Sequence, residues 1–311
     1  MGLHRFIFTF VVMVMTATAA LADSLDDTPL LRESFDPGLQ EGLEGSLKAL
    51  GLWHAVSKRK LSVALVNITD PEDPRMAEVN GDEMMYAASL PKIAILLGAF
   101  VEIERGAMPL DAATRASLTQ MIRVSSNVEA TRMLNRVGKV RLLDILQSER
   151  FRLYDPVVNG GLWVGKEYAG SPAYKRDPLH NLSHGATALQ AARFYYLLET
   201  GQLVDPGLAR DMKAMLGRPG INHKFVRGLS LVPGVKIYRK SGSWRQWHAD
   251  SAIVEQGRYK YIVVGLAEHP DGGRWLAKMI KPLHRLIVPA RTASTADFAR
   301  DMSKAAYLSA P

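Results

Sequence analysis

Apolar positions along the chain follow helical spacing at both ends and in the middle, with β-type runs confined to two regions. Leu39, Leu43, Leu47 and Leu50 recur every three to four residues and predict a helix over 38–56. A β-branched run predicts a strand over 61–68, the Asp70-Pro71-Glu72-Asp73-Pro74 turn follows, and a return strand is expected over 76–79. From 90 to 105 the pattern is helical and strongly apolar, and Gly106 closes it. Residues 110–146 read as several short helices. Residues 151–183 carry no sustained period and are rich in Gly, Pro, Asn, Asp and Tyr; an irregular stretch of that length is uncommon in a compact domain and often functional. Helices are expected over 187–198 and 205–216, strands over 235–239, 249–255 and 259–267, and a closing helix over 275–287. The order predicts an α+β fold: an antiparallel sheet built from both chain ends and flanked by helices, with an all-helical subdomain inserted at about 109–216.

Composition narrows the classes. The chain has 311 residues, 47% of them hydrophobic and 23% charged, which is ordinary for a globular protein. It has no cysteine, so disulfides, thiolate metal sites and a cysteine nucleophile are excluded. Residues 1–22 read as a signal peptide: Arg5, an uncharged run from Phe6 to Leu21, and Ala20-Leu21-Ala22 before Asp23. Cleavage after Ala22 leaves a periplasmic or secreted catalytic domain over 23–288 and a tail over 289–311. The net charge of +8 falls to +7, because Arg5 is the only charged side chain lost. Export argues against nucleic acid as the partner of that charge and leaves anionic substrates or envelope polymers. No membrane association is expected after cleavage, and the protein is expected to be a monomer.

Several motifs fail on context. Gly160 to Lys166 has phosphate-loop spacing, but Glu167 stands where a magnesium-binding hydroxyl is needed. His180 and His184 lie in a loop without a zinc signature, and there is no Gly-x-Ser-x-Gly elbow. No motif requires a metal or an organic cofactor. Ser89-Leu90-Pro91-Lys92 is different. It opens an apolar helix, where a hydroxyl and an amine three residues apart share a face and a desolvated amine can take the serine proton. A second copy, Ser57-Lys58-Arg59-Lys60, sits in a basic turn. Ser125-Ser126-Asn127 opens a later helical stretch, and Lys240-Ser241-Gly242 ends a strand candidate, offering a cation, a hydroxyl and a glycine for close backbone approach.

Ser-x-x-Lys, Ser-x-Asn and Lys-Ser-Gly in this order resemble the penicillin-recognising serine hydrolases, above all the class A β-lactamases. Tyr154-Asp155-Pro156-Val157-Val158-Asn159 is similar to that family's Glu-Pro-x-Leu-Asn loop, with Asp for Glu. The resemblance implies Ser89 as acylated nucleophile, Lys92 as its proton-transfer partner and Ser125 as the shuttle to the leaving nitrogen. It implies Asn127 at the substrate amide and Lys240, Ser241 and Gly242 at the substrate carboxylate. The backbone N–H groups of Ser89 and Ser243 would form the oxyanion hole. Asp155 and Asn159 would position the deacylating water, with a cis bond expected at Asp155–Pro156.

Two departures stand out. Asp155 is a methylene shorter than Glu, and the Ser89–Ser125 interval is short for the family, which implies a more open cleft. The family's extra carboxylate-binding arginine has only Arg245 as a candidate. The expected function is therefore hydrolysis of β-lactam amides through an acyl-enzyme on Ser89. The alternatives are a peptidoglycan D,D-peptidase acting on stem peptides, an esterase or amidase of the same fold, and a slowly deacylating β-lactam or cell-wall binding protein.

Overall fold

The computed structural model describes residues 31–289; the expected signal peptide and all of the expected tail beyond 289 lie outside them. In chain order the elements are α1 (Pro37–Ala49), α2 (Trp53–Ser57), β1 (Leu61–Asn67), β2 (Arg75–Val79), β3 (Met85–Tyr86), α3 (Lys92–Glu104), α4 (Ala112–Arg123), α5 (Asn127–Val137) and α6 (Lys139–Gln147). There follow β4 (Tyr154–Asp155), β5 (Gly160–Gly161), β6 (Trp163–Val164), β7 (His184–Ala186), α7 (Ala188–Glu199) and α8 (Pro206–Leu216). The chain then forms α9 (Phe225–Leu229), β8 (Lys236–Trp244), β9 (Trp247–Gln256), β10 (Tyr259–Glu268) and α10 (Gly272–Ile287).

The main sheet has the order β2-β1-β10-β9-β8, and every pair is antiparallel. Strands from both chain ends meet where β1 pairs with β10, as the element order predicts. Alternation explains the apolar run in β1: Val63 and Leu65 face a core shared with α1 and α10, while Ala64 and Val66 face the other core. The sheet is thus buried on both sides. α3 crosses the second core with all of Lys92–Glu102 buried, which is why its pattern is apolar on every face.

The structure departs from expectation in four places. The segment 109–216, expected to be all-helical, carries the short strands β4 to β7 between α6 and α7. The first helix breaks into α1 and α2. A short helix, α9, precedes β8 where none was expected. β8 also does not end before Lys240-Ser241-Gly242. Its ladder with β9 continues through Lys240↔Ser251, Ser241↔Asp250 and Gly242↔Ala249 to a turn at 245–246. A buried ion pair between Arg239 and Asp250, with both bonds at 2.8 Å, ties the two strands just ahead of the motif. The polar letters that look like a strand end are inward-facing residues of a long strand.

The irregular segment 151–183 is ordered by side-chain ties instead of a repeat. Tyr154 donates its hydroxyl to Asp177, and Trp163 Nε1 donates to the Lys175 carbonyl at 2.9 Å. Gly165 runs so close to that stretch of the loop that a Cβ there would sit 1.8 Å from the Lys175 carbonyl oxygen. The glycines that imitate a phosphate loop are there for backbone packing.

Candidate active site

Ser89 occupies the turn that feeds α3. The preceding Ala88 has φ of 49°, a left-handed conformation that redirects the chain at this point. Lys92 N–H donates to the Ser89 carbonyl at 3.3 Å, so the serine and the lysine share one turn. Ser89 lies on the wall of a cleft of about 610 Å³, together with Asn127, Tyr168, Ser243, Trp244 and Trp247.

Two buried lysines meet at Ser125. Lys92 is fully buried and its ammonium donates to the Ser125 carbonyl at 2.6 Å and to Asn127 Oδ1 at 2.7 Å, with Ser125 Oγ at 3.4 Å. Lys240 reaches the same hydroxyl from β8 at 2.9 Å, and also donates to the Ser241 carbonyl at 2.6 Å. Ser125 presents its hydroxyl to both lysines from a left-handed backbone, φ 60°, while Ser126 caps α5 by accepting from Glu129 N–H. Burial pulls the Lys92 pKa down to about 7. Burial, reinforced by Lys92 and Arg239, holds Lys240 well below the usual lysine value. An amine near pKa 7 is partly neutral at neutral pH and can accept a hydroxyl proton. The arrangement is a chain of contacts in which the Ser125 hydroxyl lies between two lysine amines.

The third sequence motif closes on the first. An ideal Cβ on Gly242 would lie 2.1 Å from the Ala87 carbonyl oxygen and 2.7 Å from Ser89 N. Only glycine lets β8 run this close to the Ser89 turn. Ser243 follows on the exposed rim, its hydroxyl accepting from Lys224 at 2.8 Å. Lys224 also donates to the carbonyls of Gly242 and of Ala249, the latter at 2.9 Å, and so pins the end of β8. Burial lowers its pKa to about 7. Sequence reasoning missed this lysine because Asn222-His223-Lys224-Phe225 belongs to no motif; its only signal was a cation before an apolar pair. Arg245, the candidate for a further cation, lines the cleft at the hairpin tip with its guanidinium 5.7 Å from the Trp244 ring centroid.

Asp155 and Asn159 are not brought to this cleft. Asp155 Oδ1 accepts from Val157 N–H at 2.9 Å, capping a single 3₁₀ turn, and its other oxygen faces Arg152 at 3.2 Å. Asn159 donates to the Asp82 carbonyl at 2.7 Å and meets His180 Nε2 at 2.9 Å. No cis peptide occurs among the described residues, so the Asp155–Pro156 bond is trans. Burial is what lowers the Lys92 pKa, and no carboxylate among the described residues acts to raise it. Beside it stands Tyr168 instead, with the ammonium 4.4 Å from the ring centroid and the tyrosine hydroxyl donating to the Ala88 carbonyl at 3.2 Å. Among the described residues Glu167 is the only carboxylate on the cleft wall, and Lys139 at 2.6 Å and Ser171 at 3.1 Å hold it ionised. Tyr168 was also missed, since it lies in the aperiodic segment. No cluster of His, Asp or Glu among the described residues is arranged to hold a metal ion.

Similar folds occur in solved structures. A beta-lactamase from Sphaerobacter thermophilus DSM 20745 aligns with a TM-score of 0.62 at 18% identity, over 80% of this chain and 99% of that one. PBP-A aligns at 0.59 and 15% identity, over 81% and 98%. A beta-lactamase from Chitinophaga pinensis DSM 2588 aligns at 0.60 and 12% identity, over 78% and 97%. No curated protein matches the chain. The model of the Beta-lactamase2 family, described as the beta-lactamase enzyme family, matches residues 113–307, well over half of the sequence. With its antiparallel α+β fold, and with Ser89, Asn127 and Ser243 of three separated segments on one cleft, this chain belongs to the beta-lactamase enzyme family.

Proposed function

We propose that the protein is a serine hydrolase that opens β-lactam and related amides by acylating Ser89, and that it releases the acyl group slowly. The observation that carries this reading is the Lys92–Ser125–Lys240 relay beside Ser89. In acylation, neutral Lys92 takes the Ser89 hydroxyl proton as Oγ attacks the amide carbon. The oxyanion faces the N–H groups of Ser89 and Ser243; one such donor is worth about 3 kcal/mol in comparable sites. The C–N bond then breaks, and the leaving nitrogen takes the Ser125 proton, which Lys92 replaces. Asn127 orients the substrate amide, and Lys240, Ser241 and Gly242 receive its carboxylate, with the Lys240 charge stabilised by the arriving anion. A variant of PBP-A has been solved as an acyl-enzyme with penicillin G, which is chemistry of this kind on a similar fold.

Slow release follows from the position of Asp155. Its carboxylate is occupied by Arg152 and its own 3₁₀ cap, and among the described residues no carboxylate acts on Lys92. This also favours a second reading, a D,D-peptidase on peptidoglycan stem peptides, in which the same acyl-enzyme serves a different amide. The signal-like residues 1–22 favour action outside the cytoplasm. Incubation of the mature protein with a chromogenic cephalosporin tests both stages. A rapid burst of colour equal to the enzyme present, then slow turnover with a persistent mass adduct, is expected; fast steady turnover without an adduct contradicts slow release. Asp155→Asn is expected to change the deacylation rate less than about threefold, because a carboxylate outside the cleft makes no contact in the transition state. A rise in trapped adduct in that variant would restore Asp155 to the water.

A further inference from the structure

A second cavity of about 630 Å³ shares Ser243 with the cleft and lies between α9, the β8–β9 end and the first turns of α10. Its wall carries Lys224, Arg227, Arg274, Lys278, His223 and His248, and no carboxylate. Arg274 reaches Asp271 at 3.3 Å, on the surface. Arg227 and Lys278 are exposed and make no ion pair among the described residues. Lys224 is 3% exposed, yet its three donors end on neutral oxygens, because Asp250 is held by Arg239 and by Phe225 N–H. Neither ring nitrogen of His248 completes a hydrogen bond, although both are buried and the Pro270 carbonyl acts on the ring.

A buried ring without a partner, beside a buried amine that meets only neutral oxygens, is costly unless something satisfies it. Gly273 keeps the floor open: a Cβ there would sit 3.3 Å from His248 Nδ1 and 3.7 Å from Lys224 Cε. α10 begins at this point without a side-chain cap, so its positive end adds to the same field. We propose that this cavity binds a phosphate-class oxyanion, either free or carried on the distal end of a ligand that also occupies the cleft. A tetrahedral, multiply charged anion accepts from several directions at once, which suits converging guanidinium, ammonium and imidazole donors better than a single carboxylate does. The shared Ser243 places the bound anion next to the catalytic cleft, and Lys224 donates to the Ser243 hydroxyl from the cavity side.

The test is direct binding to the full mature chain, with no dependence on acylation, so its failure leaves the Ser89 reading untouched. Inorganic phosphate is titrated calorimetrically at constant ionic strength. Saturable binding is expected, about tenfold or more weaker in an Arg227→Glu/Lys278→Glu double variant, because negative charges at the rim repel the anion. Both positions are exposed, and unchanged melting without phosphate verifies that the variant folds. Phenyl phosphate separates the two sources: tighter binding than phosphate assigns a ligand-borne group reaching the aromatic cleft, and equal binding assigns the free ion. Absence of saturable binding, or equal affinity in the double variant, overturns the proposal.

Discussion

Replacing Lys92 with methionine is expected to slow acylation of Ser89 by about 10³-fold, the range a positioned general base contributes. Methionine keeps the volume of the stem inside an otherwise apolar helix, so the change tests the amine and not the packing. The pH dependence gives the same test in the unaltered protein. Burial lowers the Lys92 pKa to about 7, so the amine is protonated and unable to accept below that pH and neutral above it. The single-turnover acylation rate is expected to rise with pH through about 7 and to level off above it. A rate that falls with pH through this range, or a Lys92→Met variant that acylates normally, contradicts the role of the amine.

Gly242→Ala carries the second large effect. The new methyl would meet the Ala87 carbonyl oxygen at 2.1 Å, Ser89 N at 2.7 Å and Leu90 N at 2.8 Å. All three are backbone atoms, so none can swing aside. Either β8 or the Ser89 turn must move by about 1 Å, and a displacement of that size at a reacting centre costs about 100-fold in rate. Stopped-flow acylation measures it. A variant that keeps the full rate would mean that the Ser89 turn and β8 are not held at the distance catalysis needs.

The fold was largely legible because its signals are strong and local. The two-sided apolar run of β1, the all-apolar α3 and the closing pattern of α10 each have one reading, and the chain order then places the sheet at both ends. The three polar trios were legible for a different reason: each sits where an element begins or packs, and the structure gathers Ser89, Lys92, Ser125, Asn127 and Lys240 at one place. The loop match failed where local letters do not decide orientation. Tyr154 to Asn159 spells the expected pattern, but Arg152, three residues upstream, and the Val157 N–H take the carboxylate. Lys224 and Tyr168 were invisible for the converse reason. Their importance lies in long-range contacts, to β8 and to Lys92, and no spacing in the chain announces them.

The aromatic wall beside the relay gives these contacts a common meaning. Tyr168 places its ring 4.4 Å from the Lys92 ammonium, and burial among such neighbours keeps the Lys92 pKa low.

The central claim is that Ser89 becomes acylated, and intact-mass spectrometry after brief exposure to penicillin G tests it most directly. The account predicts one covalent adduct per folded molecule, mapped to the peptide containing Ser89 and absent from Ser89→Ala. A folded protein that acquires no adduct, gives no turnover, or carries the adduct on another residue would contradict it.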